Sequence, residues 1–253
     1  MDFLLNKWLT DLLNNLFPRV CVLCEAPGRE HLDLCDGCIT DLPWLKDCCA
    51  VCAVPLRLHQ PQPNQLLVKQ HTLCGQCLIN RPSFSRCISA FEYRYPVDKL
   101  IIEFKFSQQL IVGKVLAYLA AEIVQQQTDA NDLPDLLVPV PIHPKRLRQR
   151  GFNQALEIAD VISQRLVIPV DYQSCSRLIN TASQKSLSAK QRRSNMQDAF
   201  SVNRSLAEQS IAIIDDVVTT GATAEALAHC MVNAGARNVQ VWTLARTPDP
   251  LIG

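Results

Sequence analysis

From about residue 86 onward, short apolar runs alternate with longer segments of helical periodicity. The apolar runs have the length and composition of strands: CISAFEY, DLLVPVPI, IAIIDDV and NVQVWTLA. The segments between them have helical length: VGKVLAYLAAEIVQQQ, GFNQALEIADVISQRL and ATAEALAHCMVNAGA. Alternation of strands and helices is typical of βαβ units, so this part of the chain predicts a mostly parallel α/β sheet.

The pattern before residue 86 is different. Residues 2–17 carry leucines and aromatic residues at helical spacing, which predicts an amphipathic helix. We expect this helix to pack on the protein's own core, because its polar face has few of the basic residues that membrane-surface helices carry. Residues 18 to about 80 show no clear period and are rich in Cys and Pro. The predicted organisation is a helix over 1–18, a cysteine-rich domain over 19–82 and an α/β domain over 83–247.

The cysteines are concentrated near the N-terminus, where ten of the twelve lie between Cys21 and Cys87. Eight of them form four CxxC units, and each unit places two thiolates on one side of a tight turn. Two such units complete a tetrahedral Zn²⁺ site, so the sequence predicts two structural Cys₄ zinc sites. The predicted ligands are Cys21, Cys24, Cys35, Cys38, Cys49, Cys52, Cys74 and Cys77. Metal binding would supply much of the folding energy of this core-poor segment.

The spacing alone leaves the pairing of the CxxC units open, and with it whether one or both sites hold zinc. Pairing the first unit with the second, and the third with the fourth, is the simplest arrangement, and interleaved pairing is the alternative. His71 is a candidate to replace one thiolate, and Cys48 is expected to be a bystander. An iron–sulfur cluster fits less well, because the spacings match no ferredoxin pattern.

Charge and hydropathy restrict the protein's partners and its compartment. The net charge is +1, which excludes a global field that draws the protein to nucleic acid or membrane, so such a partner would need a local patch. No window reaches the ~18 apolar residues of a membrane-spanning helix, and a secretory signal is not evident. These features predict a cytoplasmic protein, in which paired cysteines bind metal more often than they form disulfides. The oligomeric state is not indicated.

The most informative stretch is IAIIDDVVTTGAT, from Ile211 to Thr223. A buried strand leads to Asp215 and Asp216, and a small hydroxyl-rich turn then leads into a helix that we expect to start at Ala224. Backbone N–H groups at such a turn, together with the helix dipole, favour a phosphate. The two acids are suited instead to ribose hydroxyls or to a Mg²⁺ ion carried by the substrate. The combination predicts a site for a sugar phosphate, with the phosphate held by Thr219, Thr220, Gly221, Ala222 and Thr223.

Two basic segments without acids accompany this stretch. VPVPIHPKRLRQRGFNQ places four basic residues after an apolar strand end, and RLINTASQKSLSAKQRR, over 177–193, contains five. We interpret both as basic loops near the strand ends, where they suit a pyrophosphate leaving group. Two solvated loops are the alternative. The predicted pyrophosphate contacts are Arg148, Arg150, and Lys185 or Arg192, and residues 177–193 are a candidate lid.

These motifs resemble two known patterns. IIDDVVTTGAT resembles the phosphoribosyl pyrophosphate motif of type I phosphoribosyltransferases, and that resemblance implies ribose contacts for the two acids and a 5′-phosphate cradle at 219–223. The order VPVP–RGFNQA, QKSLSAKQRRSNMQDAF and IIDDVVTTGAT, behind the CxxC units, resembles the ComF/GntX family. That family couples a zinc-ribbon-like head to a phosphoribosyltransferase-type domain, and Lys105 matches one of its positions. The resemblance implies Mg²⁺-dependent chemistry on phosphoribosyl pyrophosphate.

Three functions fit these features. The first is transfer of phosphoribosyl to an unknown nitrogen nucleophile, and the residues favour such an enzyme without establishing turnover. The second is a DNA-uptake factor that binds single-stranded DNA or a helicase partner, with phosphoribosyl pyrophosphate as ligand or regulator. Aromatic stacking residues are sparse for that role, because Phe152 is the only aromatic in the basic segments. The third is a nucleotide-sensing regulator that binds the ligand without turnover.

Overall fold

The structure, a computed structural model, describes residues 18–56, 72–107, 109–178 and 199–248. The chain divides into two compact units, residues 1–42 and 43–253. The predicted N-terminal helix, most of the predicted lid, and the candidates His71, Lys185 and Arg192 lie outside the described residues. The domain boundaries at residues 18, 82 and 247 stay predictions.

The first unit contains one CxxC turn followed by a short helix. The turn is closed by the Glu25 N–H, which donates to the Cys21 carbonyl at 3.0 Å, and Glu25 takes a left-handed conformation with φ 62°. Helix α1, Asp36–Asp41, follows, and Cys35 is its N-cap residue. Cys38 therefore lies in the first turn of α1, which brings its thiol back towards that of Cys35.

The same arrangement is repeated at the start of the second unit. The Ala53 N–H donates to the Cys49 carbonyl at 2.9 Å, and Ala53 is left-handed with φ 54°. Helix α2, Gly75–Ile79, follows Cys74, which is its N-cap residue. The four CxxC units thus form two structurally equivalent repeats, each with a CxxC turn and a second CxxC unit at the start of a short helix.

The second unit contains a four-stranded, wholly parallel sheet in the order β1-β6-β5-β2. Its strands are β1 (Arg86–Glu92), β2 (Leu136–Pro139), β5 (Ser210–Val218) and β6 (Asn238–Arg246). The predicted parallel α/β sheet is therefore confirmed. A separate antiparallel pair joins β3, Cys175–Arg177, to β4, Phe200–Val202. Sequence periodicity did not predict this pair, because three residues are too few to establish alternation.

Helices cover the sheet: α3 (Val97–Phe106), α4 (Leu110–Gln127), α5 (Pro144–Arg150), α6 (Gln154–Leu166) and α7 (Ala222–Asn233). Four consecutive β5 residues, Ile211–Ile214, are fully buried. Because side chains alternate between the two faces of a strand, burial of all four means that both faces of the sheet are covered. This explains why β5 is a continuous apolar run rather than an alternating one.

One predicted loop is wrong. The basic stretch after β2 forms helix α5 and is not a loop. Pro144 occupies the first helical turn, the His143 Nδ1 accepts a hydrogen bond from the Lys145 N–H at 3.2 Å, and Gly151 ends the helix with φ 83°. These are normal start and stop signals, and the density of charge obscured them. Helix α7 likewise begins at Ala222, two residues before its predicted start.

Candidate functional site

The two adjacent acids project from β5 where the sheet narrows. Strand β2 pairs with β5 only as far as Pro139, opposite Ile214, and the Val140 N–H makes a last hydrogen bond to the Ile214 carbonyl at 2.9 Å. Strand β5 nevertheless continues to Val218, supported on its other side by β6. Asp215 and Asp216 thus lie beyond the end of β2, at the carboxyl edge of a parallel sheet, where ligands of such folds commonly bind.

The turn after β5 leads directly into α7. Gly221 is the N-cap residue of α7 with φ 80°, a left-handed conformation that glycine adopts without strain. A Cβ at this position would have no atom within 4 Å, so the turn is open on that side. Thr219 and Thr220 are exposed, and the Ala222 N–H donates to the Thr220 Oγ1 at 3.3 Å. The N-terminus of this twelve-residue helix and two threonine hydroxyls therefore border an open position of the kind at which helices bind phosphate.

Helix α3 brings a lysine to the acids. The Lys105 Nζ lies 3.0 Å from the Asp216 Oδ1, with side-chain exposures of 19% and 13%. Phe104 is fully buried and anchors the preceding position of the helix. Its ring lies 5.5 Å from that of Phe152, in the segment between α5 and α6. The contact between Phe104 and Phe152 therefore helps to hold α3 against the RGFNQ segment, next to the lysine that pairs with Asp216.

Two arginines from two other elements lie near these acids, and a third arginine lies near both of them. Burial lowers the pKa of Arg150, and the nearby Asp216 carboxylate opposes that shift. Arg177, on β3, lies close enough to Asp215 to lower the pKa of that acid. Arg146 repels both of these guanidinium groups, which lowers their pKa values further. The side chains converge because Arg146 and Arg150 are four residues apart on one face of α5.

Asp215 has the most perturbed pKa of the acids in this site. Burial and then the adjacent Asp216 carboxylate raise it to about 7, while Lys105 and Arg177 pull it in the opposite direction. A carboxyl with that pKa is partly protonated near neutral pH, because two adjacent carboxylates cannot both ionise cheaply without a further cation. The two acids therefore offer carboxylate oxygens, the kind of ligand that Mg²⁺ prefers.

The RGFNQ segment contributes a buried polar group. Gln154 is 3% exposed, and its Oε1 accepts a hydrogen bond from the Arg150 Nη1 at 2.9 Å. Within the described part of the chain, its Nε2 has no acceptor. Asn153 caps α6 through the Ala155 N–H at 3.1 Å and also donates to the Val140 carbonyl at 3.2 Å. This buried donor beside a site arginine is therefore available to a water molecule or to a bound ligand.

The structure brings together many of the predicted site residues. Asp215, Asp216 and Arg150 converge, and the 219–223 turn follows directly from the strand that carries the acids. Arg148 is exposed on α5, and no contact between it and either acid is recorded in the described ranges. Lys185 and Arg192 lie outside those ranges and stay predictions.

The structure adds two residues, Lys105 and Arg177, to the candidate site. Lys105 had only a family position to suggest it, and Arg177 only its place at the edge of a basic segment. Both belong to elements far from β5 along the chain, so neither spacing nor periodicity could join them to the acids.

The cysteines form two separate clusters, and the sequential pairing is confirmed. Cys21, Cys24, Cys35 and Cys38 make one, and Cys49, Cys52, Cys74 and Cys77 make the other, with all sulfur atoms of a cluster within 4.8 Å of one another. The Cys24–Cys35 and Cys52–Cys74 sulfur distances are each 3.6 Å. Tetrahedral thiolates at about 2.3 Å from zinc lie about 3.8 Å apart, so both clusters fit Zn²⁺ closely. The described cysteines, including Cys48, are free of disulfides.

Comparison with known proteins agrees with this architecture. The model of the double zinc ribbon domain matches residues 12–78. DNA utilization protein YhgH of Escherichia coli O157:H7 is 32% identical over 233 residues, covering 91% of this chain and 98% of that protein. Competence protein F of Haemophilus influenzae is 33% identical over 243 residues, covering 92% and 99%. The chain belongs to the ComF/GntX family.

More distant ComF/GntX relatives and solved structures extend the comparison. Competence protein ComFC of Bacillus subtilis is 27% identical over 253 residues, covering 90% of this chain and 95% of that protein. A purine phosphoribosyltransferase from Pyrococcus horikoshii is similar with 17% identity and a TM-score of 0.31, over 52% of this chain and 70% of that chain. A glutamine phosphoribosylpyrophosphate amidotransferase from B. subtilis has 17% identity and a TM-score of 0.36, over 51% and 26%. In the described residues, no helix is long and apolar enough to cross a membrane.

Proposed function

We propose that this ComF/GntX protein binds phosphoribosyl pyrophosphate with Mg²⁺ at the β5–α7 turn and transfers the phosphoribosyl group to an acceptor. The observation that carries the proposal is the acid pair at the end of β5, followed at once by an open helix N-terminus. The 219–223 turn would hold the 5′-phosphate, and Asp215 and Asp216 would accept hydrogen bonds from the ribose hydroxyls. Bound Mg²⁺ would supply positive charge to the leaving pyrophosphate.

The chemistry is a displacement at the ribose C1. A nitrogen nucleophile forms the new bond at C1 while the C1–oxygen bond to pyrophosphate breaks, and the leaving group takes the electron pair. Arg150 and Arg177 are suited to stabilise the charge that develops on the pyrophosphate, because both are already partly desolvated near the acids. Gln154 offers an additional donor beside Arg150.

We place the protein in the cytoplasm. Two clusters of free thiols with zinc-site geometry support this assignment, because a reducing compartment keeps cysteines available to metal. In each cluster four cysteines fill a tetrahedral shell, so zinc there would be structural and not catalytic.

Calorimetric titration with phosphoribosyl pyrophosphate and Mg²⁺ tests the proposal. We expect one specific site per chain, and we expect the Asp215→Asn, Asp216→Asn double variant to lose it while keeping its fold and zinc. Arg150→Gln should weaken binding about tenfold, as expected for loss of a charged hydrogen bond, whereas Arg148→Gln, on the exposed face of α5, should change it less than twofold. Undiminished binding by the double variant would refute the site.

A second candidate function is single-stranded DNA binding, and one specific observation favours it. Phe106 is 68% exposed, and the Arg150 guanidinium lies 5.1 Å from its ring centroid. An exposed aromatic with a cation is the platform on which bases stack, and the sequence alone did not associate this aromatic with the basic segments. The relatives named for DNA utilization and competence give independent support.

Salt-dependent binding of a fluorescent single-stranded oligonucleotide tests this second candidate. We expect Phe106→Ala to weaken binding by about 1–3 kcal/mol, as for loss of one stacked base. Tyr95→Ala is the matched control, because Tyr95 lies two residues before α3, is equally exposed, and has Lys99 and not a residue of the basic segments beside its ring. Equal effects of the two substitutions would remove Phe106 from the DNA-binding surface.

A further inference from the structure

Arg246 is a buried arginine that connects the second cysteine cluster to the phosphate turn. It ends β6 and is 6% exposed. Its Nε donates to the Cys52 carbonyl at 3.0 Å, and its Nη1 donates to the Val218 carbonyl at 3.1 Å and to the carbonyl of Thr219. One side chain therefore holds a zinc-ligand turn and the first residue of the 219–223 turn at the same time.

A second link holds the far end of the same turn. Glu225, in the first turn of α7, accepts hydrogen bonds from the Ser83 N–H at 2.8 Å and from the Ser83 Oγ at 2.7 Å. Ser83 follows shortly after Cys77, a ligand of the same cluster. The phosphate turn is thus bracketed on both sides by contacts with the chain that forms the second cluster.

The positions of the bracketing atoms depend on the cluster being assembled. The Cys49–Cys52 turn closes on itself through two backbone hydrogen bonds, from the Ala53 N–H to the Cys49 carbonyl and from the Cys49 N–H to the Val54 carbonyl, each at 2.9 Å. The two halves of the cluster are joined by the Ala50 N–H, which donates to the Thr72 carbonyl at 3.0 Å, and by the Cys74 N–H, which donates to the Cys49 Sγ at 3.3 Å. A metal that joins all four thiolates fixes both halves together, as expected where metal binding supplies folding energy. The Cys52 carbonyl and Ser83 then have fixed positions. Because they bind Arg246 and Glu225, the 219–223 turn is held in place as well.

We propose that metal binding at the second cluster sets the conformation of the phosphate turn through Arg246 and Glu225, so that ligand binding at the turn requires a metal in this cluster. We assign no such role to the first cluster, which belongs to the other compact unit. Arg246 and Glu225 are positioning residues. That the ligand is phosphoribosyl pyrophosphate rests on the proposed function, whereas the mechanical link does not.

Hydrogen–deuterium exchange of the zinc-loaded full-length protein tests the link without a ligand. Cys52→Ser should speed exchange of the amides in 216–224 about tenfold or more, because these amides lose their anchor, whereas Cys24→Ser in the first cluster should leave them unchanged. Amides in α4, residues 110–127, report on the global fold. Faster exchange of 216–224 in both cysteine variants, or in neither, would overturn the proposal.

Variants of the two links provide a test that does not disturb a zinc ligand. Arg246→Met and Glu225→Ala should each speed exchange in 216–224 while zinc content stays at the wild-type value. Arg246→Lys should restore part of the protection, because an ammonium still donates to one or two carbonyls. If Cys52→Ser also speeds exchange in α4, the Arg246→Met and Glu225→Ala variants become the decisive test of the link. Wild-type exchange rates in 216–224 in both of these variants would refute it.

Titration with phosphoribosyl pyrophosphate and Mg²⁺ then separates the two proposals. Wild-type binding that is lost in Arg246→Met supports both. If the wild-type protein does not bind the ligand, but Cys52→Ser still speeds exchange in 216–224, the mechanical link is supported and phosphoribosyl pyrophosphate is rejected as the ligand. Binding that persists at wild-type affinity in Cys52→Ser and Arg246→Met would refute the link while leaving the ligand site intact.

Discussion

Two neighbouring carboxyls on one strand have different electrostatic surroundings. The Lys105 ammonium lies 3.0 Å from the Asp216 Oδ1 and forms an ion pair with it. Asp215 is buried beside that carboxylate, and its pKa is raised to about 7. If both carboxylates accept hydrogen bonds from a ligand or coordinate its metal ion, Asp215 must therefore lose its proton when the ligand binds. Near neutral pH the free-energy cost of this deprotonation is small, so Asp215 can readily become negatively charged when a cation binds.

Ligand affinity should depend on pH for this reason. The ligand binds the deprotonated acid, so below pH 7 each complex must release a proton, and the Kd for phosphoribosyl pyrophosphate and Mg²⁺ should rise up to about tenfold per pH unit. Above pH 7 the Kd should be flat with respect to this group. Titrations from pH 5.5 to about 8 in buffers of different ionisation enthalpy measure both the affinity and the proton release.

Lys105→Met provides the control for that pH profile. Removing the ammonium takes away an interaction that lowers the pKa of Asp215, so the midpoint of the profile should move to higher pH. An unchanged midpoint would show that the titrating group is not Asp215 beside Lys105. A wild-type affinity that does not respond to pH below 7 would show that binding does not need ionised Asp215.

The sequence was informative about residues whose neighbours along the chain share their function. A strand, two acids, small hydroxyl residues and a glycine are consecutive from Ile211 to Thr223, and local rules are enough to predict their arrangement as a strand, a turn and a helix. The roles of Lys105 and Arg177 were harder to predict from the sequence, because α3 and β3 come close to the acids only through tertiary packing. The unpaired amide of Gln154 could not be predicted at all, because satisfaction of a hydrogen bond depends on every neighbour.

At the scale of elements, prediction succeeded where a helix or strand is long and strongly periodic. The four sheet strands and helices α4, α6 and α7 were predicted with errors of a few residues at their ends. Helix α5 was taken for a loop because four of its seven residues are basic and its apolar positions are few. Helix α3 was not predicted as an element, although it supplies Lys105 and Phe106.

The contact between α3 and α4 should be important for both stability and binding. A Cβ on Gly113 would lie within 2.6 Å of the Phe104 ring, which is fully buried and cannot move away cheaply. Gly113→Ala should therefore lower the free energy of unfolding by about 1–2 kcal/mol, even though alanine is the better helix former. It should also weaken ligand binding, because Phe104 fixes Lys105 and packs on Phe152.

Thermal unfolding and ligand titration of Gly113→Ala measure the two effects together. Lys114→Ala is the matched control, since Lys114 is the next residue on α4 and has an exposed side chain. A Gly113→Ala protein as stable as the wild type would show that α3 and α4 can separate without cost, and Phe104 would then not be the residue that positions Lys105.

At the scale of the whole molecule, the repeated cysteine half-sites were predictable because each ligand set is local. The division into units was not, because cysteine spacing does not reveal that the first cluster is in one compact unit and the second is in the unit that carries the sheet. The clusters also differ in exposure. Cys24 is exposed in the first, whereas Cys49, Cys74 and Cys77 are buried in the second.

Zinc release should therefore occur in two phases. Purified protein should contain two zinc ions per chain, and a chelator in excess should remove one quickly and the other slowly, because a chelator needs access to a thiolate and the first cluster offers Cys24. A chromogenic zinc indicator follows both phases. Cys24→Ser should abolish the fast phase alone, and Cys52→Ser the slow phase alone, because the clusters share no ligand. If zinc is released in a single phase, and if either substitution slows or abolishes that whole phase, the two sites bind zinc cooperatively. That result would contradict the assignment of the two clusters to separate units.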